Sequence, residues 1–242
     1  MKILFLFIFL FNISHVNADE IYNLIKIPNL EIYKLKNDNN IRYLSAKGNF
    51  KIGPNKNITC DKVNLDNLNA KFPIIEKNLN KYNSDFLKKI RLKYIVLCQN
   101  LFISEINTGG IPNNKNRTLI LDINFNQNYF ERMIHHEIFH MIHNTHIKYF
   151  DEDKFSSLNQ TSFNYAECST CSNRLNLDLY EKTHGFLTEY SKSIPSEDMA
   201  EIFSFLMTDK EIIKDIISTD KILNKKVNFI KSNLAKIDKN IL

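Results

Sequence analysis

The run His136-Glu137-Ile138-Phe139-His140 sets two imidazoles four residues apart, with a carboxylate beside the first. On a helix, residues i and i+4 lie one above the other on the same face, so both rings can reach one zinc ion while the glutamate holds a water against it. A chain with 7 His in 242 residues shows this pattern by chance roughly once in a hundred random sequences. Two surface histidines on a polar face are the weaker reading.

Catalytic zinc usually takes three protein ligands plus water, and two completions compete. His146 would extend the run to H-E-x-x-H-x-x-H-x-x-H through His143, the metzincin spacing. That pattern needs Gly at position 143, where the chain turns sharply; His accepts a left-handed backbone less readily, and no Met-turn follows. The other completion lies in Tyr190-Ser-Lys-Ser-Ile-Pro-Ser-Glu197-Asp198-Met199-Ala200-Glu201. Ser196 has the character of an N-cap, and Pro195 before it fits a chain entering a helix. Glu197 and Glu201 then fall one turn apart, so that Glu197 can bind zinc while Glu201 hydrogen-bonds a ligand histidine from behind. In isolation an acidic first turn merely complements the helix dipole; beside H-E-x-x-H the ligand reading is stronger. Of the remaining histidines, His135 points about 100° away from His136 and reads as packed, His143 shares the ligand face and can line a cleft, and His146 is the competing ligand.

An H-E-x-x-H followed by a Tyr seven residues before a Glu-x-x-Ala-Glu helix resembles the gluzincin peptidases of the anthrax lethal factor type and the small secreted zinc-binding metallopeptidases. The resemblance covers roughly residues 117 to 240, with Gly185-Phe186-Leu187 before the Tyr and a helical tail after it. It implies a zincin-like fold and a zinc-dependent metalloendopeptidase that hydrolyses peptide bonds through a zinc-activated water. It also implies His136, His140 and Glu197 as zinc ligands, Glu201 behind them, Glu137 as general base and Tyr190 as donor to the developing oxyanion. The interval of 57 residues from His140 to Glu197, and Cys168-x-x-Cys171 within it, depart from thermolysin-type spacing.

Several elements must position these groups. Ile21 to Ile27, Ile41 to Leu44 and Phe50 to Ile52 are β-prone and read as strands or hairpins, whereas Asn69 to Ile90 has helical spacing. Lys93 to Cys98 and Thr118 to Ile123 read as buried strands joined through a loop, Asn107 to Lys115, and the second could offer an open edge to an extended peptide. A helix from near Gln127 to Thr145 buries Ile134, Ile138, Met141 and Ile142. Residues 150 to 188 read as a long ordered loop, and from Ser196 onward the pattern is helical. The expected class is α+β: a small N-terminal mixed sheet with the active-site helix, and a C-terminal helical subdomain. Residues 19 to 126 are mainly strands with a helix, and 127 to 242 mainly helical, within one metallopeptidase domain.

Length, 43% hydrophobic content and 24% charge describe a chain able to bury a core. Five glycines form neither a dinucleotide fingerprint nor a P-loop. The net charge of +5 comes from dispersed residues, so nucleic-acid binding is not expected. Met1 and Lys2, apolar Ile3 to Phe11 and the small residues ending at Ala18 read as a secretory signal cut before Asp19; a span would need roughly 20 apolar residues. The expected mature protein is a monomer, secreted or in the periplasm or cell envelope, without a membrane span, acting on peptide or protein substrates. Four cysteines suit an oxidising compartment; Cys60 with Cys98 and Cys168 with Cys171 is the favoured pairing, with half of a structural zinc site as the alternative for the second pair. Asn57, Asn116 and Asn159 open glycosylation sequons. The second functional reading is a secreted binding or toxin-like module with a structural or inactive zinc site, which would need neither Glu137 nor Tyr190.

Overall fold

The computed structural model describes residues 18–242 except residue 36; the expected signal segment falls almost wholly outside these. Helix α1 (Ala18–Ile25) stands where a strand was expected. Ile21 and Ile25 are buried while Asn23 midway, which a strand would place on the same face, is exposed.

Five strands build the part of the sheet that matters for the site. β1 (Leu30–Lys34) pairs antiparallel with β2 (Arg42–Ala46), and β2 lies parallel to the long β5 (Tyr94–Ile103). On the other side β5 is parallel to β8 (Thr118–Asp122), which in turn pairs antiparallel with β7 (Gly110–Asn113). The C-terminal half of β5 carries a second set: β4 (Ile58–Asp61) with β3 (Phe50–Ile52) beyond it, and the short β6 (Ile106–Asn107). Between the two halves Asn100 is left-handed at φ 54° and donates its N–H to Asp122. A disulfide joins Cys60 of β4 to Cys98 of β5, and a second closes Cys168 to Cys171, the favoured pairing.

The architecture is α+β, an open mixed sheet with helices. Two features differ from the sequence expectation near the cleft. The segment expected as a loop, Asn107 to Lys115, holds the end of β6 and all of β7, so β8 is interior and the free edge belongs to β7 instead. Gly110 and Pro112 in β7 hid it: both punctuate turns in a sequence, yet an edge strand tolerates Pro.

The helix expected over Asn69 to Ile90 is two helices, α2 (Leu65–Leu79) and α3 (Ser84–Lys89). Asn64 caps the first by accepting from the amides of Asp66 and Asn67, and Asn83 caps the second by accepting from Phe86. α4 (Phe130–Thr145) carries the H-E-x-x-H, and α5 (Glu152–Ser156) interrupts the expected long loop. The helical tail divides into α6 (Pro195–Thr208), α7 (Lys210–Thr219) and α8 (Lys221–Ile237). In α6 the cap is Ile194, not Ser196, and Pro195 occupies the first turn, where its missing N–H has no intrahelical partner to lose. Among the described residues no helix is long and apolar enough to cross a membrane.

Candidate metal centre

α4 forms because its apolar residues recur at helical spacing; Ile134, Ile138, Met141 and Ile142 are all fully buried. That leaves His136 and His140 on the face turned to α6. The Nε2 atoms of the two rings are 3.1 Å apart, and Glu197 Oε2 lies 2.8 Å from the first and 3.1 Å from the second. Among the described residues these three form the one group of histidine, cysteine or acidic side chains spaced to hold a metal ion.

Three electron-pair donors this close repel one another unless a proton or a cation lies between them. Two imidazoles and a carboxylate are a zinc-type set, and ligands at about 2.0–2.2 Å around a tetrahedral zinc stand about 3.3 Å apart, near the edges observed. The residues therefore fit the ion.

Behind the donor triangle the orientation of His136 is fixed from α6. His136 Nδ1 donates to Glu201 Oε1 at 2.9 Å, which leaves Nε2 to face Glu197. Glu201 Oε2 accepts from the Thr188 hydroxyl at 3.0 Å, and Thr188 Oγ1 itself accepts from the amide of Ser191 at 3.1 Å. Thr188 is fully buried; nothing in its local sequence marks it, because its role depends on packing between distant segments. Tyr190, in a 3-10 turn (Tyr190–Lys192), stacks on His136 with ring centroids 5.9 Å apart.

Glu137 turns toward the sheet. It is buried, and a Cβ placed on Gly110 of β7 would stand 2.6 Å from its Cγ. One turn earlier Met133 packs against Gly109 in the same way. The paired glycines thus let α4 lie flat on the edge strand.

The charges follow from this packing. Burial pushes the Glu137 carboxyl up to about 7, against the pull of His140 and His136. Burial also disfavours an ionised Glu197, but the two imidazoles outweigh it and hold that carboxyl well below the usual range. For His136, burial opposes a charged ring while the bonds to Glu197 and Glu201 prevail and raise it. Burial, with the carboxylates of Glu197, Glu137 and Glu201 around it, raises the Tyr190 hydroxyl far above its ordinary value, so it stays a donor.

The other histidines separate cleanly. His135 is fully buried, accepting at Nδ1 from the Tyr82 hydroxyl at 2.5 Å and contacting Asn78 Oδ1 at 2.9 Å, as a packed side chain should. His143 lines the cleft and donates to the carbonyl of Phe150 at 3.2 Å. His146, at the C-cap of α4, stacks on Tyr149 and lies outside the donor triangle.

The triangle sits in a cleft of about 640 Å³ bounded on one side by β7. Ile106, Phe125, Met133 and Leu177 contribute an apolar lining, and Ser169 and Thr170, held within the Cys168–Cys171 clip, reach its wall.

Residues 74–238, more than two thirds of the chain, match the family described as "putative zinc-binding metallo-peptidase". That match begins well before residue 117, so it takes in the last six residues of α2 and all of β5. A crystal structure of "a putative zinc-binding metallo-peptidase" from Bacteroides caccae is similar in fold, with a TM-score of 0.53 at 20% identity over 84% of this chain and 85% of that one. No curated protein matches the sequence. With the two histidines and the glutamate converging inside the matched region, the chain belongs to this zinc-binding metallo-peptidase family.

Proposed function

We propose that the protein is an exported, zinc-dependent endopeptidase in which His136, His140 and Glu197 hold the metal. The observation that carries this reading is the convergence of the three donor atoms beside a buried Glu137, with Glu201 orienting His136 from behind. A zinc ion there supplies Lewis acidity, lowering the pKa of a bound water to about 7 and polarising a carbonyl. Glu137 takes the proton of the attacking water and delivers it to the leaving amine, a task suited to a buried carboxyl one residue from the first ligand histidine. Tyr190 donates to the oxyanion that develops on the scissile carbonyl.

The roles are those of the lethal factor type of gluzincin, to which the spacing of Tyr190, Glu197 and Glu201 also conforms. An extended peptide pairing with the free edge of β7 would pass beside Glu137. Two disulfides accord with export into an oxidising compartment by the signal expected in residues 1–18.

Metal analysis of the mature protein and three variants tests the assignment. Glu197→Ala and His140→Ala are expected to lose zinc, while His146→Ala keeps it at full stoichiometry. Zinc lost from His146→Ala but retained in Glu197→Ala would replace the third ligand and sink this reading. A zymogram with and without chelator then decides catalysis: zinc bound with no metal-dependent cleavage would favour a binding module.

A further inference from the structure

Between α6 and α8 lies a cation that the proposed chemistry does not use. Lys226 of α8 and Asp198 of α6 are both fully buried. The Lys226 ammonium donates to Asp198 Oδ2 at 2.6 Å and to the carbonyl of Gly185 at 2.8 Å, and stands 3.7 Å from the centroid of the Phe186 ring. Asp198 Oδ2 also accepts from the Tyr165 hydroxyl at 2.7 Å, whereas Oδ1 is buried without a partner among the described residues, so the carboxylate is held from one side.

The segment that Lys226 grips is anchored to α8 a second time. Asp220, the cap of α8, accepts from the Thr183 hydroxyl at 2.6 Å and from the amide of Gly185 at 2.5 Å. Gly185 is left-handed at φ 91°, and a Cβ there would meet Ile222 of α8 at 2.7 Å. This segment continues into Thr188, which holds Glu201, and Tyr190, which stacks on His136. Asp198 is the chain neighbour of Glu197.

One ammonium therefore joins the two segments that supply the third ligand, the carboxylate behind His136 and the oxyanion donor. Net stability is a poor reason for it, because a buried ion pair rarely outperforms apolar packing of the same volume. We infer that Lys226 is a positioning residue that locks the Tyr190-bearing segment against α6. The kinetic part of this inference rests on the peptidase reading; the structural part does not.

Lys226→Met alone would strand the Asp198 charge and endanger folding, so the informative variant is Asp198→Asn/Lys226→Met, which removes both charges. Hydrogen exchange of the full mature protein, freed of zinc, should show residues 183–190 exchanging at least about tenfold faster in the double variant with the rest little changed. In the zinc-loaded protein kcat should fall about 10- to 100-fold, the scale of losses when the groups orienting a metal site are removed. Tyr190→Phe should then add less than about threefold in that background while costing its full factor in the native one. Unchanged exchange at 183–190, or a Tyr190→Phe penalty that multiplies in full, would reduce the pair to core packing. If the native protein binds zinc yet cleaves nothing, the peptidase reading falls, and the exchange result alone decides the role of Lys226.

Discussion

Gly110→Ala is the sharpest probe of how the edge strand sets Glu137, the proposed general base. A methyl at this position would lie 2.6 Å from Glu137 Cγ and 3.1 Å from both Glu137 Cδ and the carbonyl oxygen of Ile120. Ordinary carbon contacts are about 3.5–4.0 Å, so α4 and β7 must part by about 1 Å or Glu137 must leave its rotamer. Overpacking of this kind costs about 1–3 kcal/mol of stability. A reacting group displaced by about 1 Å loses on the order of 10²-fold in rate, equivalent to about 2.7 kcal/mol of barrier.

His136 and His140 face α6, where Glu197 completes the donor triangle away from the clash, so zinc stoichiometry should be unaffected. The assay is kcat and KM on a quenched fluorescent peptide, with metal content and thermal midpoint measured on the same preparations. Gly48→Ala serves as control, since its methyl would meet Asn29 Cβ at 3.4 Å, an ordinary contact. A Gly110→Ala enzyme with native kcat and an unchanged melting point would refute the proposed packing of Glu137 on β7.

Three further perturbations have defined outcomes. In the zinc-free protein, native Glu137 keeps a proton up to about pH 7 that the unfolded chain releases near 4.5. Folding stability from this group is therefore present at low pH and declines by about 3 kcal/mol as pH rises through that window. Urea unfolding at pH 5 and pH 8 should show Glu137→Gln gaining on the native protein by about that amount at the higher pH, with an equal difference at both values counting against a buried carboxyl; loaded with zinc, the variant should keep the metal and lose about 10²- to 10⁴-fold in turnover. Tyr190→Phe should lower kcat about 10²- to 10³-fold with zinc retained, and a loss confined to KM would assign Tyr190 to substrate binding. Replacing both Cys60 and Cys98 by Ala opens a closure across 38 residues, with an expected loss of about 4 kcal/mol in urea unfolding; a loss below about 1 kcal/mol would mean that the sheet alone fixes β4 against β5.

The elements that announce themselves in the sequence are those whose pattern is set by one buried face. α4 and β8 have strong apolar patterning and occur close to where the sequence places them, and β5 begins there too but runs on to Ile103, past the apolar stretch that ends at Cys98. β7 was illegible because Gly109, Gly110 and Pro112 are there for contact with Met133 and Glu137 and for an edge position, neither of which has a periodic signature. The split between α2 and α3 turns on two asparagine caps within a run whose apolar spacing barely changes.

At the site, His136, Glu137 and His140 were readable from spacing alone, and Glu197 with Glu201 from their one-turn separation near a proline. Thr188 and Lys226 were not. A threonine in a loop and a lysine in an amphipathic helix read as solvent-facing, and only their bonds to Glu201 and Asp198 of α6 give them work.

The distance along the chain between the parts of the triangle has a consequence for when the molecule becomes active. A nascent α4 can offer a metal only its histidine pair, while the carboxylate arrives 57 residues later and closes the set once α4 and α6 have packed. Tight zinc binding by the triangle would thus be a property of the finished tertiary structure, and saturating metal should stabilise that structure by about 4 kcal/mol at a thousandfold excess over Kd. A chain that crosses a membrane unfolded would travel without hydrolytic power and acquire it where it folds.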